Sequence, residues 1–409
     1  MNPKNQAYSV FIIYSICSQA FMTLVFTVNM IYFVVIAKLA PLEMVLVGTT
    51  LELSIFIFEA PTGIVADIIS RKISIIIGVF LIGIGFLVQA LFPLFLMILL
   101  AQVIWGIGYT FTSGALQAWI TDEIGEEKAA TAFLRATQLQ QVGGLVAIGF
   151  SVLFATLWGM NVPMTIGGIF FIFLGFYLIA FMKEHGYKRT EHNQSNSFAS
   201  FKSTLINGLQ MIKTRSVLLR ILLIGFFYGL YSEGLDRLWV PHVIERYQLP
   251  DQGQSVMVGW VGGLSAASML ATFFIAGTAL KYFEKNISTQ RIIRFLTSFS
   301  ILLVISVAMF AVTRQIWVSF GLLVIIAVLR EMIYPLYLAW VNQRLESSSR
   351  ATVLSMSSLV DAFGQIGGGP IVGFVAQNNS IQAGLLFSAF LLSPVIGLLL
   401  SNRNLDRVE

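Results

Sequence analysis

Charge is what this sequence has least of. Of 409 residues only 11% are Asp, Glu, Lys or Arg, against about 25% in a soluble domain. Apolar residues make up 57% and the mean hydropathy is +0.83, so water is not the main solvent of this chain. A single cysteine, Cys17, excludes an internal disulfide and a cysteine-based metal cluster. The three histidines, His185, His192 and His242, lack the spacing of a metal site, and no metal is expected. No Gly-rich stretch ends in Gly-Lys-Ser or Gly-Lys-Thr, which removes the nucleotide-binding loop. No cofactor is expected. The start, MNPKNQAYSV, leads into a long apolar run rather than a short one with a small-residue cleavage site, so a removable signal peptide is not expected.

Apolar length is abundant. A membrane span needs about 20 apolar residues, and the chain supplies roughly twelve such segments. They are expected at 8–37, 43–66, 72–91, 93–121, 130–157, 161–182, 217–245, 254–281, 289–312, 315–343, 351–377 and 380–401. The fold class is therefore an all-α membrane protein of twelve transmembrane helices. With both termini inside, the outer side keeps only Lys38, Arg246 and Arg314 of the Lys and Arg residues, and that asymmetry sets a cytoplasmic location for both ends. The net charge of +5 follows from this topology, and no nucleic acid is expected as a partner. The longest polar segment divides the chain into a first bundle (1–183), a cytoplasmic linker (184–216) and a second bundle (217–409). In the linker, Phe201, Leu205, Leu209 and Ile212 recur at helical spacing, which predicts a short helix on the inner membrane surface. Shifted by about 221 residues, Ala118-Trp119 falls on Ala339-Trp340, Ala130-Thr131 on Ala351-Thr352, Gly143 on Gly364 and Ala155 on Ala376. This register predicts two pseudo-symmetric six-helix halves in parallel orientation.

One short stretch stands at a turn between spans. Residues 59–72 read EAPTGIVADIISRK and are expected to form a tight cytoplasmic turn between spans two and three. Gly63 is expected to admit a neighbouring helix closely. Asp67 ends one helix while Arg71 and Lys72 begin the next, an order unfavourable to both helix dipoles. Partners elsewhere are therefore required, with Asp122 or Glu123 at the inner end of span four expected for Arg71. Gly63, Ala66, Asp67, Arg71 and Lys72 resemble the loop motif of the major facilitator superfamily, from which Ile68 and Ser70 depart. EAPTG at 59–63, YTFTSGALQAWITDE at 109–123 and LYSEGLDRLW at 230–239 are similar to the drug:proton antiporters of that superfamily, in its macrolide and tetracycline efflux branch. The resemblance implies the twelve-helix major facilitator fold in the plasma membrane, alternating access, and a central cavity lined by spans one, four, seven and ten. It also implies that Asp67 reaches the start of span eleven, near Ser347, Ser348, Ser349 and Arg350. Span four carries Gln102 before Gly106 where many proton-coupled exporters have Arg, so a relay through that Arg does not carry over. The Gly-Pro of the fifth-span antiporter motif is absent as well: span five has Gly143-Gly144, and Gly369-Pro370 lies in span eleven.

The remaining signal is charge deep in apolar spans: Glu52, Glu59, Glu233, Asp236, Arg237, Arg330, Glu331 and Asp361. Each costs about 2.5–3.5 kcal/mol at a helix centre unless paired, protonated or facing water. Glu233 and Arg237, four apart, share a helix face and can pair. Asp236 is expected to pair with Arg237 or Arg330. Arg330 and Glu331 point about 100° apart, and Glu52 and Glu59, seven apart, share a face of span two. These residues are the expected proton-coupling and substrate site, with Gly63, Asp67, Arg71, Lys72, Asp122 and Glu123 as a conformational switch. Gly106, Gly108 and Gly114 are expected to be packing sites. Structural ion pairing is the other reading of the buried charges. The expected partners are a small amphiphilic molecule, protons and the lipid bilayer, with a monomer as the working unit. The expected function is proton-coupled export of amphiphilic compounds. The alternatives are an importer or lipid or metabolite facilitator on the same fold, and a membrane sensor or enzyme. Against an enzyme stands the lack of a paired nucleophile and base.

Overall fold

A computed structural model describes residues 3–186, 216–249, 253–283, 288–343 and 347–405. Among them, twelve helices are long and apolar enough to cross a membrane. In chain order, spans one to three are Pro3–Val35, Pro41–Ile68 and Arg71–Leu91. Span four is Phe95–Thr112 followed by Ala115–Ile124; spans five and six are Glu126–Trp158 and Asn161–Phe181. Spans seven to eleven are Ser216–Arg246, Gln254–Phe283, Thr289–Val312, Ile316–Gln343 and Ser347–Asn378, and span twelve is Ile381–Leu392 followed by Pro394–Leu405. The expected surface helix around Phe201–Ile212 lies outside the described residues. Large apolar side chains face outward on spans five and six, among them Leu153, Leu157, Phe173 and Phe176. Such a perimeter suits hydrocarbon rather than water.

Two expectations about local structure are corrected. Most of the stretch 59–72 is helix, because span two continues to Ile68 and only Ile69 and Ser70 separate it from span three. Apolar Ile64, Val65 and Ile68 have no reason to leave the helix, and Ser70 then makes the turn. Its backbone is extended, and its hydroxyl accepts from the Ile73 N–H as an N-cap. Among the described residues a Cβ at Gly63 would meet nothing within 4 Å, so Gly63 is not a close-approach site for any of them. Span four is not one helix. Gly114, at φ +70 and ψ −43, takes a conformation that a side chain would strain. It breaks the span rather than packing it, since its Cβ would also meet nothing within 4 Å among the described residues. Gly108 does pack as expected, its Cβ position lying 2.7 Å from the Gly78 carbonyl oxygen of span three.

The described residues fall into two compact units. The first holds spans one, three, four, five and six, residues 50–68 of span two and residues 253–262 of span eight. Its helices pack one on five, one on six, three on four and three on six. The second unit holds spans seven, nine, ten, eleven and twelve, residues 40–49 of span two and the remainder of span eight. There seven packs on eleven, seven on twelve, nine on ten and nine on twelve. The neighbour scheme is the same in each unit when six is added to the span number. Gly143 lies against Ile16 of span one, and Gly364 lies against Phe226 and Leu230 of span seven, as the sequence register requires. The expected boundaries, however, do not foresee that the first turns of spans two and eight join the opposite unit.

Polar side chains fasten the helix ends. In the second unit Arg246 donates to the Thr313 carbonyl (3.1 Å), the Val312 carbonyl (2.8 Å) and Gln382 Oε1 (3.3 Å). A cation thereby meets the orphan carbonyls at the C-terminus of span nine, where the helix dipole is negative.

Candidate functional site

Span seven carries the densest charge in the second unit. Its helix puts Glu233 and Arg237 one turn apart, and Arg237 Nε donates to Glu233 Oε1 at 2.7 Å. Glu233 is 3% exposed. Asp236, rotated off that face, is held by a different cation. Arg330 of span ten grips it with both terminal nitrogens, Nη2 to Oδ2 at 2.8 Å and Nη1 to Oδ1. The fork of a guanidinium matches a carboxylate in this bidentate way. Arg330 is thus the counter-ion of Asp236, and Glu233 and Asp236 are held by different arginines. The pairs differ in quality: Asp236 has two nitrogens, Glu233 one, although Glu233 is the more deeply buried. Asp361 of span eleven is half-buried and accepts from Gln365 Nε2, one turn on, at 2.8 Å. Glu331 is exposed on the other face of span ten from Leu329 and Met332. Below these acids, Tyr228 shares a hydrogen with Ser300 (2.7 Å), and Tyr337 donates to the Ile221 carbonyl (2.9 Å).

In the first unit the acids of span two are less enclosed. Glu59 is exposed and stands 3.5 Å from the Ser113 hydroxyl, at the break in span four. Glu52 is half-buried on the same helix face. Gln102, where the sequence offered an amide in place of Arg, is 3% exposed and fully engaged. Gln89 Nε2 donates to Asn29 Oδ1 (2.7 Å), Gln102 Nε2 to Gln89 Oε1 (2.6 Å), and Trp105 Nε1 to Gln102 Oε1 (2.9 Å). Spans one, three and four are joined by this neutral amide ladder, which fixes the indole of Trp105 against Phe26 and Phe86.

The switch residues are resolved individually. Arg71 pairs with Asp122. Glu123, the other expected partner, turns away: Oε1 accepts from the backbone N–H of His185 (2.6 Å) and Gly186 (2.7 Å). Lys72 Nζ donates to the Ile179 carbonyl at 3.3 Å. Asp67 is exposed; the side chains of its expected partners Ser347, Ser348, Ser349 and Arg350 lie outside the described residues. Sequence reasoning missed Glu184, assigning it to the linker. Its Oε1 accepts from the N–H of Arg71 (2.8 Å) and Lys72 (3.2 Å), and its Oε2 from the Ser70 hydroxyl (2.6 Å). The signal was present, since a basic first turn on span three demands an acid from outside the helix. Beside it, Trp119 Nε1 donates to the Lys183 carbonyl at 2.9 Å.

The sequence profile of the Major Facilitator Superfamily matches residues 10–370. The chain belongs to the major facilitator superfamily. As a superfamily member it is a multi-pass secondary transporter and not an enzyme. It is 26% identical over 368 residues to the uncharacterized MFS-type transporter YxaM of Bacillus subtilis (strain 168), an alignment covering 87% of this chain and 86% of that one. Among solved structures it is similar to the nucleoside transporter NupG, with TM-score 0.77 and 16% identity over 98% of this chain and 99% of the other. It is also similar to a bacterial homolog of the human lysosomal transporter Spinster in an inward-facing, unoccupied conformation, with TM-score 0.75 and 14% identity over 99% and 98%. At such identities the likeness concerns the major facilitator fold alone. Function resides in particular residues, not in the fold.

Proposed function

We propose that this major facilitator protein is a proton-coupled exporter of small amphiphilic compounds in the plasma membrane, with both termini cytoplasmic and Glu233 as the coupling acid. The observation that carries the reading is the unequal pairing on span seven. Asp236 is gripped by both terminal nitrogens of Arg330, whereas the more deeply buried Glu233 accepts, among the described residues, from Arg237 Nε. An acid so placed exchanges its proton more readily than one clamped twice, because losing one contact frees it. Glu233 would take a proton from outside and release it inside, with substrate favouring the ionised form. Glu52 and Glu59 in the first unit and Glu331 and Asp361 in the second supply further acids, which suit an amphiphile bearing positive charge. The motif residues Asp67, Arg71 and Lys72 act as the conformational switch.

A second reading is favoured by Gln102. Its amide is committed to a neutral ladder where the exporter type has an arginine, and an importer or metabolite facilitator on the same fold is compatible with that. Accumulation of fluorescent and radiolabelled amphiphiles in an efflux-deficient bacterium separates the two. Export lowers accumulation, and a protonophore restores it. Raised accumulation that the protonophore abolishes supports proton-driven import instead.

A further inference from the structure

We propose that Arg291 and Arg294, at the start of span nine, hold the headgroup phosphate of an anionic phospholipid whose acyl chains lie along the exposed face of that helix. The assignment is independent of the coupling role of Glu233. Span nine packs on spans ten and twelve, and Ile292, Ile293, Leu296 and Leu303 form part of its buried side. Arg291 and Arg294 lie on the opposite, exposed side. They are one turn apart, close enough for both guanidinium groups to reach a single phosphate. Further along the same side, Ile301, Leu302, Ile305 and Met309 are exposed and apolar. From Arg291 to Val312 the helix rises about 31 Å, close to the thickness of the hydrocarbon layer. The two arginines therefore stand at headgroup depth, with an apolar stripe running away from them into the bilayer.

The pseudo-symmetric helix shows what such a start requires. Span three, the counterpart of span nine, also begins with two cations, and acids of its own unit meet them. Asp122 pairs with Arg71, and Glu184 accepts from the backbone N–H groups of Arg71 and Lys72. In the second unit the same junction lacks these acids of span four. The register of about 221 residues sets Gln343 on Asp122 and Arg344 on Glu123. The geometry follows that register: Thr289, the first residue of span nine, donates to Gln343 Oε1 at 2.9 Å, as Arg71, the first residue of span three, donates to Asp122. Span nine itself contains no Asp or Glu. Among the described residues, no acid pairs with Arg291 or Arg294. Two cations in the first two turns of a helix also oppose its dipole, which an anion offsets. An anionic phospholipid supplies a phosphate for the guanidinium forks and hydrocarbon for the stripe beyond them.

The test titrates the purified protein in detergent with phosphatidylglycerol and reads the lipid-bound fraction by native mass spectrometry. Arg291→Ala and Arg294→Ala are each expected to weaken binding of the first lipid about fivefold, and the double variant about 25-fold. Lysine at both positions should keep binding within about threefold of the parent, since the charge remains. Lys128→Ala/Arg135→Ala removes two exposed cations of span five and should change binding by less than about twofold. Inorganic phosphate at the same concentration, having no chains, should not displace the lipid. Equal binding by the parent and the double variant overturns the proposal. So does an equal loss in the span-five variant, which would reduce the effect to net charge, and so does displacement by inorganic phosphate, which would make the site one for a free anion. Glu284→Gln/Asp406→Asn removes the acids nearest in sequence to the ends of spans eight and twelve and should bind as the parent does; tighter binding would show the arginines already paired within the chain and overturn the proposal. Should the double arginine variant fail to fold, the two single variants decide: binding equal to the parent in both refutes the site.

Discussion

Replacing Glu184 by Ala removes three hydrogen bonds at once from the start of span three: two from the backbone N–H groups of Arg71 and Lys72, and one from Ser70. Hydrogen bonds to a charged group contribute about 1.5–3 kcal/mol each when well made. Both backbone bonds share one oxygen and Glu184 is half-buried, so the sum is well short of additive, on the order of 2–4 kcal/mol. A further few tenths come from the lost anion at a helix N-terminus. By contrast the Arg71–Asp122 pair is 18% and 30% exposed at its side chains, and such pairs contribute about 0–1 kcal/mol. Local opening of the first turn of span three should therefore be at least 30-fold more frequent in Glu184→Ala, and at most about fivefold more frequent in Asp122→Ala. Amide hydrogen exchange of the segment around residues 69–75, read by mass spectrometry on detergent-solubilised protein, measures this directly. Glu184→Gln, which keeps an acceptor without the charge, should fall between them. Unchanged exchange in Glu184→Ala, or a larger effect from Asp122→Ala, would refute the assignment of Glu184 as the cap.

Three other expectations follow from the geometry. Gln102→Leu takes the donor from Gln89 Oε1 and the acceptor from Trp105 Nε1 at a buried site and should cost about 2–4 kcal/mol, seen as a marked loss of thermal stability in detergent; an unaltered unfolding temperature would contradict the ladder. Gly114→Ala forces a side chain onto φ +70 and should destabilise the fold by about 1–3 kcal/mol despite open space around it, whereas Gly63→Ala, equally open but inside a regular helix, should not lower the unfolding temperature. Asp67→Asn should impair transport while leaving the amount of protein in the membrane unchanged, and wild-type transport by that variant would remove Asp67 from the switch.

The parts of the fold that were legible in the sequence are those governed by length and composition. Apolar runs of sufficient length located all twelve spans, because a hydrocarbon environment leaves a helix no alternative to internal hydrogen bonding. The pairing of Glu233 with Arg237 was legible from their spacing, since both lie on one helix. The Arg330–Asp236 pair needed only the idea that a buried cation requires an acid. What escaped depended on backbone conformation or on contacts far apart in sequence. Nothing in TFTSGAL says that Gly114 will adopt positive φ, as glycine is equally common within transmembrane helices. Asp122 and Glu123 are adjacent acids with the same composition signal; only the position of His185 and Gly186, some 62 residues on, decides that one binds a side chain and the other a backbone. Gln102 was noticed for what it was not, and its role emerged only when Asn29 and Gln89 came beside it.

The central claim is that Glu233 couples proton flow to transport, and one measurement bears on it most directly. Purified protein in proteoliposomes, with a compound identified by the accumulation assay, is given an imposed pH difference of about one unit, which for one-to-one electroneutral exchange supports roughly tenfold accumulation. Wild type should reach a gradient of that order. Glu233→Gln, which keeps the size of the side chain and a hydrogen-bond acceptor for Arg237, should build none, yet should still exchange labelled for unlabelled compound across the membrane. A Glu233→Gln protein that accumulates the compound against its gradient as well as wild type would contradict the account and assign the proton to Glu331 or Asp361.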